Sequence, residues 1–482
     1  MKSIKKNAVL SAIKVLMSMF FPLISFPYAS RVLGPSGIGK VDFSTSVVAY
    51  FMLFASLGIS TYGIRQGAKY RDDKQKLSTF VQEILIINIV TTVISYAVFG
   101  IMLVTVPQFK PYVFVLLISG LQIGFTTLGI DWLYGALEEY AYITIRSVVF
   151  QALALVLLFV LVKDSDDYLE YAFVQVFAAV GSNLLNLIHA RKFITIKKSM
   201  SYDFTRHFKP ILVIFGLNLA SNIYMNLDKT MLGFLCGDVE VGLYGAALKM
   251  NRIVLQLILS IGTVVVARLS FYYAKGEFHK YQTLFLKVMN SVLFIAIPAS
   301  LGLCVLSRET LYVLSGEKYV SASLTSQILT LTIIIIGISN LMSVQVFIPM
   351  EKEKYSLYAS CSAAAINAGL NYTLIPKFGK EGAAISTVLA ELVALLICAY
   401  FSRKYICYTG VLHNLWQFIV SAVFIVPVYF GIRCLTGSPF MILIATTILG
   451  GLLYGLILLT FKNQIALQLF DIIKNKMKVR KT

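Results

Sequence analysis

The sequence predicts an all-α protein that crosses a membrane many times. Hydrophobic residues make up 58% of the 482 residues and charged residues only 13%, which is about half of the charged share in a soluble domain. The mean hydropathy is +0.79. Apolar segments of roughly 20 residues, the length that a helix needs to cross a bilayer, recur along the whole chain. No soluble fold requires apolar segments of this number and length, so we expect a polytopic membrane protein.

About fourteen transmembrane segments of this length are expected. They lie near residues 8–30, 40–63, 81–105, 112–135, 143–162, 169–190, 210–235, 241–267, 284–306, 324–347, 355–375, 382–402, 412–434 and 440–461. The first segment lacks a small-residue cleavage site and is followed by many more, so we interpret it as a retained helix and not as a signal peptide.

The distribution of basic residues predicts that both termini are cytoplasmic. A net charge of +19 would suggest nucleic acid as the partner of a soluble protein. In membrane proteins, however, Lys and Arg collect in the cytoplasmic loops. Here most of them fall at the termini and in alternate loops, such as Arg65 to Lys76 and Arg191 to Lys209. We therefore expect no nucleic-acid partner.

No enzyme or cofactor motif is found in the sequence. It has no P-loop, no Rossmann glycine pattern after a strand and no HExxH motif. The six cysteines are scattered without metal-ligand spacing. The longest external loop, about Ser307 to Ser323, is too short for a catalytic domain. We expect no cofactor, no metal and no enzymatic activity, and the energy for transport would come from an ion gradient, the membrane potential or the substrate gradient.

Three pairs of short motifs predict that helices 1–6 and 7–12 form a parallel repeat. The pairs are SRVLG (30–34) with DKTMLG (228–233), SLGISTYGIR (56–65) with SIGTVVVAR (260–268), and LEEY (137–140) with EKEKY (351–355). The repeat predicts a six-helix lobe at residues 1–200, a second at 201–405, and two additional helices with a basic cytoplasmic tail at 406–482. Two lobes with a cleft between them suit alternating access.

The seventh predicted helix carries a polar stripe. On a helix, Asn218, Asn222, Asn226 and Lys229 fall within an arc of about 80°. A polar stripe inside a membrane must face a partner helix or a water-filled cavity. The asparagines could simply bond one helix to another, and Asp228 could form a structural ion pair with Lys229. Because adjacent residues point about 100° apart on a helix, we expect each to meet a group on another helix.

Helix 8 carries a second stripe, in which Lys249, Arg252 and Gln256 are spaced along one face. Arg252 should lie near the middle of the membrane, where an unpaired charge costs a few kcal/mol. Lys14 in helix 1 could extend toward the cytoplasmic surface instead of facing a cavity. Glu391 lies in the middle of helix 12.

The charged residues inside the predicted helices are mainly cationic. Lys14, Lys229, Lys249 and Arg252 outnumber Asp228 and Glu391. Because Lys and Arg pair well with phosphate, this excess favours an anionic substrate. Asp228 and Glu391 are candidates for binding a coupling proton or cation, or for pairing with the basic residues.

Several segments resemble the O-antigen and capsular polysaccharide flippases of the multidrug/oligosaccharidyl-lipid/polysaccharide exporter superfamily. These segments are FPYASRVLGPSGIGKVDFS (26–44), DWLYGALEEY (131–140), NLDKTMLG (226–233) and GAAISTVLAE (382–391). The sequence departs from many relatives at Gly135 and Ala136, where they have Gln-Gly, and at Ala267, where they have Pro.

The resemblance implies a bacterial inner-membrane transporter for surface polysaccharide biosynthesis. Its cargo would be an undecaprenyl-diphosphate-linked oligosaccharide, moved from the cytoplasmic to the periplasmic leaflet. Arg252, Lys249, Lys229 and Lys14 would contact the diphosphate or acidic sugars, together with Asn222, Asn226 and Gln256, and Arg31 would lie near the periplasmic mouth. Helices 13 and 14 would resemble those that line the lipid-tail groove of lipid II flippases. Other partners would be membrane lipid and the glycan polymerase and glycosyltransferases of the same pathway.

Two alternative functions are open at this point. A drug or cation exporter of the same superfamily should favour acidic over basic residues inside the membrane, and this sequence has the reverse. A membrane glycosyltransferase or polysaccharide polymerase generally needs a sizeable external loop, which we do not expect here.

Overall fold

The computed structural model describes residues 4–195, 202–263, 265–468 and 470–471. Within these ranges the chain is almost entirely helical and contains no β-strand. Eleven helical segments are long and apolar enough to cross a membrane. The predicted all-α, polytopic class is therefore confirmed.

Residue contacts divide the chain into two compact units, Met1–Gly242 and Leu243–Thr482. The helices of the first unit are α1 (Ile4–Ser56), α2 (Ile59–Tyr70), α3 (Lys74–Thr105), α4 (Val113–Gly129), α5 (Asp131–Ala136), α6 (Tyr140–Leu161), α7 (Tyr168–Val176), α8 (Asn183–Ala190) and α9 (Thr205–Leu235). A 3-10 helix, Pro107–Tyr112, precedes α4, and a π-helix, Phe177–Gly181, joins α7 to α8.

The second unit begins within the first turns of α10 (Asp238–Thr263). Its further helices are α11 (Val266–Ala274), α12 (Phe278–Val305), α13 (Ser307–Ser315), α14 (Ser323–Leu341), α15 (Lys354–Ser402), α16 (Thr409–Val423), α17 (Ile425–Leu435) and α18 (Pro439–Thr460). A 3-10 helix, Glu317–Ala322, precedes α14, and a π-helix, Met342–Phe347, follows it.

Two of the eleven membrane-length segments are too long for a single crossing. Phe20–Tyr70 has 51 residues and Lys354–Ser402 has 49, whereas about 20 residues span the apolar core of a bilayer. Each contains a glycine with positive φ that interrupts the helix, Gly34 at 67° and Gly379 at 54°. A side chain would be strained at such a φ. Each segment therefore covers two of the predicted spans, and the total of about fourteen stays a prediction.

Similar local structures follow one another in the same order in both units, which fits the predicted repeat. In each unit a short 3-10 helix leads into a long apolar helix, α4 in the first and α14 in the second. Further along, Glu138 and Glu351 adopt positive φ values of 57° and 56° at the turn before the next helix. These glutamates lie in the LEEY and EKEKY segments that the sequence comparison paired. Positive φ is uncommon outside glycine, so its recurrence at paired positions supports the repeat.

The structural boundary between the units lies beyond the boundary that the repeat places at residue 200. Helix α9, which the repeat assigns to the second lobe, packs along α1 and belongs to the first unit by its contacts. The lobe limits at residues 200 and 405 stay a prediction. The contact units do not test them, because residues that repeat in the sequence need not pack into the same unit.

Glycines allow α1 to approach the end of α9 and the start of α10 very closely. A Cβ atom added at Gly39 would lie 1.8 Å from the carbonyl oxygen of Asp238, and one at Gly242 would lie 2.0 Å from that of Pro35. A Cβ at Gly233 would overlap the Phe43 ring at 2.1 Å. Backbone atoms move less easily than a flexible side chain, so the contacts at Gly39 and Gly242 require glycine most strictly.

We expect Gly39→Ala or Gly242→Ala to lower the thermal stability of the purified protein. Overpacking of this kind costs about 1–3 kcal/mol. Gly100→Ala is the matched control, because a Cβ at Gly100 meets nothing within 4 Å. Fluorescence-detected size exclusion after heating measures the effect, and equal midpoints for the three variants would contradict the close packing.

Candidate functional site

The polar stripe of α9 is half-buried within the first unit. Asn222, Asn226 and Lys229 are partly covered, and Asp228 is only 8% exposed. The Asn226 side-chain amide donates to the carbonyl oxygen of Asn222 at 3.0 Å. Asn226 therefore uses part of its hydrogen-bonding capacity within its own helix.

Lys229 forms an ion pair with Asp42 of α1. The Lys229 Nζ lies 3.0 Å from Asp42 Oδ2, and the two side chains are 17% and 13% exposed. Next to this pair, the Thr230 hydroxyl shares hydrogen bonds with Ser46 at 3.0 Å and Tyr50 at 3.2 Å. The sequence predicted that Lys229 would meet a group on another helix but did not identify Asp42 as that group. An anionic ligand would compete with Asp42 for this ammonium group.

The second stripe lies on an exposed side of α10, in the second unit. Arg252, Gln256 and Ser260 are exposed and Lys249 is half-buried. The opposite side of the helix is covered, since Met250, Asn251 and Ile258 are buried. Helical spacing therefore places the polar residues on the side that does not pack into the unit.

The remaining predicted site residues are spread over both units. Arg31 is exposed on α1 and donates to the carbonyl oxygen of Pro27 at 3.5 Å, just before the interruption at Gly34. Glu391 is half-buried on α15. The side chain of Lys14 lies outside the described part of the structure. Within the described part, no three His, Cys, Asp or Glu side chains form a group that could hold a metal ion.

The DWLYG segment forms a structural network through its first residue. Arg146 of α6 is buried, and its Nη2 lies 3.0 Å from Asp131 Oδ1. Asn186 of α8 donates to the same oxygen at 2.7 Å, and Arg146 also donates to the carbonyl oxygen of Ser182 at 3.1 Å. Asp131 thus ties α6 and α8 to the start of α5, which gives this part of the motif a role in folding.

Sequence analysis missed a second polar cluster, which joins Glu83 of α3 to Arg206 and His207 of α9. A weak signal was available, because Glu83 is an acidic residue at the start of the otherwise apolar segment 81–105. Its partners, however, lie 123 and 124 residues further along the chain, where no spacing rule connects them.

An apolar cavity of about 450 Å³ lies within the second unit. Its volume falls in the range of small-molecule sites. The lining comes from α10, α12, α13, α17 and α18, and it includes Pro298, Ala299, Gly302, Ile425, Thr447 and Gly451. Small residues on α12 and α18 leave this space open, because a Cβ at Gly302 or Gly451 would meet nothing within 4 Å.

A polar group lies next to one end of this cavity. Leu306 lines the cavity and also packs with Tyr429. The Tyr429 hydroxyl donates to Glu309 Oε1 at 3.0 Å, and Arg433 donates to the same hydroxyl at 3.3 Å. Glu309 is buried and Arg433 is exposed. The cavity therefore has an apolar interior and, beside it, a polar group with one acidic and one basic residue.

We expect Asp131→Ala to destabilise the protein, because it leaves the buried Arg146 without its carboxylate. Loss of a buried partner costs about 1–3 kcal/mol. Asp72→Ala is the matched control, since Asp72 pairs with Arg71 while its side chain is 97% exposed, and exposed pairs contribute about 0–1 kcal/mol. Thermal unfolding in detergent compares the two variants. Equal midpoints would contradict a structural role for Asp131.

Comparison with known protein families identifies the chain over most of its length. The family model described as polysaccharide biosynthesis protein matches residues 4–271, and the MatE family model matches residues 214–373. A protein of Escherichia coli (strain K12) that is named as an O-antigen transporter is 22% identical over 83% of this chain and 97% of its own length. A similarly named protein of Shigella dysenteriae is 24% identical over 81% of this chain and 98% of its own length. Agl15 of Haloferax volcanii, named as a low-salt glycan biosynthesis flippase, is 23% identical over 49% of this chain and 50% of its own length.

Solved structures show the same fold. The lipid II flippase MurJ in an inward closed conformation matches with a TM-score of 0.74 at 17% identity, over 95% of this chain and 99% of that one. An inward-facing multidrug resistance MATE transporter of the MOP superfamily matches with a TM-score of 0.63 at 14% identity, over 83% and 97%. The resemblance to the multidrug/oligosaccharidyl-lipid/polysaccharide exporter superfamily is confirmed. The chain is a multi-pass membrane protein that belongs to the polysaccharide biosynthesis protein family.

Proposed function

We propose that this protein is a flippase that moves undecaprenyl-diphosphate-linked oligosaccharide units across the bacterial inner membrane. The movement runs from the cytoplasmic to the periplasmic leaflet, by alternating access, and it serves surface polysaccharide biosynthesis. Family membership and the relatives named for O-antigen transport and glycan flipping support this proposal. Both termini are cytoplasmic in this arrangement, as the distribution of basic residues favours. The protein performs transport and no chemical conversion.

The observation that carries the proposal is the exposed basic side of α10. Arg252 and Gln256 are exposed on a helix that is otherwise apolar enough to cross a membrane. An arginine in this position is costly unless it has water or an anion to contact, and guanidinium groups bind phosphate oxygens in a bidentate manner. Arg252 and Lys249 are accordingly the primary contacts for the diphosphate, with Gln256 as a hydrogen-bonding neighbour.

The other candidate contacts are those that the sequence predicts, and most of them lie in the first unit. Lys229 is held by Asp42, and the diphosphate takes the place of that carboxylate when substrate binds. Asn222 and Asn226 provide hydrogen bonds to sugar hydroxyls, Arg31 acts near the periplasmic mouth, and Lys14 adds a further positive charge. Asp228 and Glu391 serve coupling or pairing, with H⁺ or Na⁺ as the coupling ion.

The apolar cavity supplies the place for the lipid part of the substrate. A polyprenyl chain offers only apolar surface, and most of the residues that line the cavity are apolar. They come from α10, α12 and α18, together with Leu306 and Ile425. Burial of each CH₂ group contributes about 0.8 kcal/mol. This assignment corresponds to the lipid-tail groove that the resemblance implies for predicted helices 13 and 14, which are residues 412–434 and 440–461.

We expect Arg252→Ala and Lys249→Ala to abolish or strongly reduce surface glycan in a strain that lacks its own flippase. Loss of one hydrogen bond to a charged group costs about 1.5–3 kcal/mol, which corresponds to a roughly tenfold to hundredfold loss of transport. Lys318→Ala is the matched control, because Lys318 is an exposed lysine outside the stripe. Surface glycan is measured by immunoblot at equal protein levels.

Normal glycan from both variants would contradict the cationic site. The MatE family match keeps drug export as the alternative. If the protein exports drugs, the wild-type protein would restore drug resistance to a sensitive strain and would fail to restore surface glycan. Accumulation of finished but short glycan in a null strain would instead indicate a polymerase.

We expect Gly302→Leu and Gly451→Leu to impair the flipping of long polyprenyl carriers more than short ones, because the new side chains fill the cavity. Gly431→Leu is the matched control, since a Cβ at Gly431 also meets nothing within 4 Å but Gly431 does not line the cavity. Flipping is measured in proteoliposomes with carriers of different chain length. Equal rates for the three variants with every carrier would exclude the cavity as the tail site.

A further inference from the structure

The short helix α11 and the first turn of α12 form a basic and aromatic surface on the second unit, which has no part in the proposed transport site. We call it the α11 surface. Its exposed or half-buried members are Arg268, Phe271, Tyr272, Lys275, Phe278 and Lys280. From Arg268 to Lys280 the sequence contains three basic residues and one acidic residue, Glu277. The surface therefore carries a net positive charge.

Helix α11 is amphipathic, with one side packed and the other open. Leu269 of α11 is fully buried, and Tyr281 of α12 is buried at 2% exposure. In contrast, Phe271 is 52% exposed and Phe278 is 60% exposed. Gly276, with a φ of 71°, turns the chain from α11 into α12. Exposed aromatic rings beside basic side chains are typical of a helix that lies at a membrane surface.

The cations of the two helices gather around neighbouring aromatic rings. The Arg268 Cζ lies 5.5 Å from the centroid of the Tyr272 ring, and the Lys280 Nζ lies 6.0 Å from the same centroid. The Lys275 Nζ is 4.5 Å from the centroid of the Phe271 ring. Like charges on one surface repel each other, so a bound anion would stabilise this arrangement.

The Tyr272 hydroxyl adds a hydrogen-bond donor to these charges. It accepts a hydrogen bond from the Arg268 Nε at 3.0 Å. A tyrosine hydroxyl can donate its own proton while it accepts another, so it can donate to an anionic oxygen beside the guanidinium. Ring, guanidinium and hydroxyl are held together by this bond, which orients two donors toward one ligand.

The acidic residue of the segment does not neutralise the surface. Glu277 pairs with Lys280 at 3.1 Å, but the two side chains are 34% and 62% exposed. Exposed pairs of this kind are weak, so Lys280 can exchange this carboxylate for another anion. Within the described part of the chain, Arg268 and Lys275 form no ion pair. Their charges are available to a ligand.

The corresponding segment of the first unit lacks the same surface. When the SLGISTYGIR and SIGTVVVAR motifs are aligned at their final arginine, Phe271 corresponds to Ala68. In the same register Lys275 corresponds to Asp72, so a positive charge stands where the first unit has a negative one. The aromatic and basic character therefore belongs to α11 itself and is not a general property of the repeat.

The position of α11 in the chain favours a lipid as the source of the anion. The preceding helix, α10, has 26 residues, or about 39 Å at 1.5 Å per residue, whereas the apolar core of a bilayer is about 30 Å thick. The chain therefore reaches α11 where it leaves the apolar core. Lipid phosphates lie at this level, and aromatic rings are favoured there.

We propose that the α11 surface binds the headgroup of an anionic glycerophospholipid. Arg268, Lys275 and Lys280 contact the negative charge, and the Tyr272 hydroxyl donates to a phosphate oxygen. The exposed phenylalanine rings lie against the glycerol and the first carbons of the acyl chains. The bound lipid holds α11 and the first turn of α12 against the membrane surface.

Hydrogen exchange of the full-length protein in lipid nanodiscs, without glycan, tests this proposal. Nanodiscs of phosphatidylcholine alone are compared with nanodiscs of equal parts phosphatidylcholine and phosphatidylglycerol. In the mixture, amides of residues 266–280 should exchange at least about fivefold more slowly, since each basic residue near an anionic surface changes binding by about this factor. Residues 323–341 of α14 are the internal reference. Because no glycan is present, the result does not depend on the proposed substrate.

Two variants make the test specific to this surface. The site variant combines Arg268→Gln, Lys275→Gln and Lys280→Gln. In this variant the slowing of residues 266–280 should disappear, and its exchange in the same mixture corrects for the lower local pH at an anionic surface. The matched control removes the same charges from exposed positions of the first unit, through Arg65→Gln, Lys69→Gln and Lys74→Gln. The control should retain the full effect of phosphatidylglycerol.

A third arm distinguishes a lipid from a soluble phosphate. Glycerol phosphate, which carries the same phosphate without acyl chains, is added to the wild type in phosphatidylcholine nanodiscs and should leave residues 266–280 unchanged. The proposal is overturned if glycerol phosphate reproduces the slowing or if both lipid compositions give equal exchange in the wild type. It is also overturned if the control variant loses the effect as the site variant does.

Discussion

A buried charge needs a partner within the protein, and this requirement determines much of the first unit. Asp42 pairs with Lys229, Asp131 with Arg146, and Glu83 with Arg206 and His207. In each case the carboxylate and its partner come from different helices. Each pair has at least one largely covered member, which needs a partner within the protein, so each pair also fixes the distance between two helices. The polar residues are therefore structural anchors as well as candidates for transport.

Helix α9 depends most on these anchors, because it is attached near both of its ends. Glu83 holds its first turn, and the pair of Lys229 with Asp42 holds it to α1 further along. Beyond that pair, Gly233 lies directly against the Phe43 ring. Apolar packing alone would let helices slide, since lipid is as apolar as their side chains. Ion pairs and glycine contacts give α9 a defined register on α1, and in this register Asn222, Asn226 and Lys229 are half-buried.

The second unit combines two different surfaces. On α10, the residues that do not pack into the unit are basic or polar, with Arg252 and Gln256 exposed. Elsewhere, glycines and other small residues on α12 and α18 leave an apolar space. A ligand that uses both surfaces must carry an anionic group and a long apolar chain. Lipid-linked glycans combine these properties, as do anionic phospholipids and fatty acids.

The sequence by itself determined the membrane class, the approximate positions of the helices, the repeat and the family. These properties follow from the length of apolar segments, the spacing of polar residues and short motifs, all of which are local in the chain. It also identified the stripes on α9 and α10, because helical periodicity alone decides which residues share a face.

Only the tertiary structure decided which side chains meet. Asp42 and Lys229 are 187 residues apart, and Tyr62 and His207 are 145 apart, so no periodicity relates them. The apolar cavity likewise arises from five helices whose lining residues are spread from Val254 to Tyr454. The contact boundary at Gly242 also differs from the repeat boundary, because α9 packs on α1. A partner across helices depends on their packing and register, which are set by the summed contacts of whole surfaces and not by any one segment.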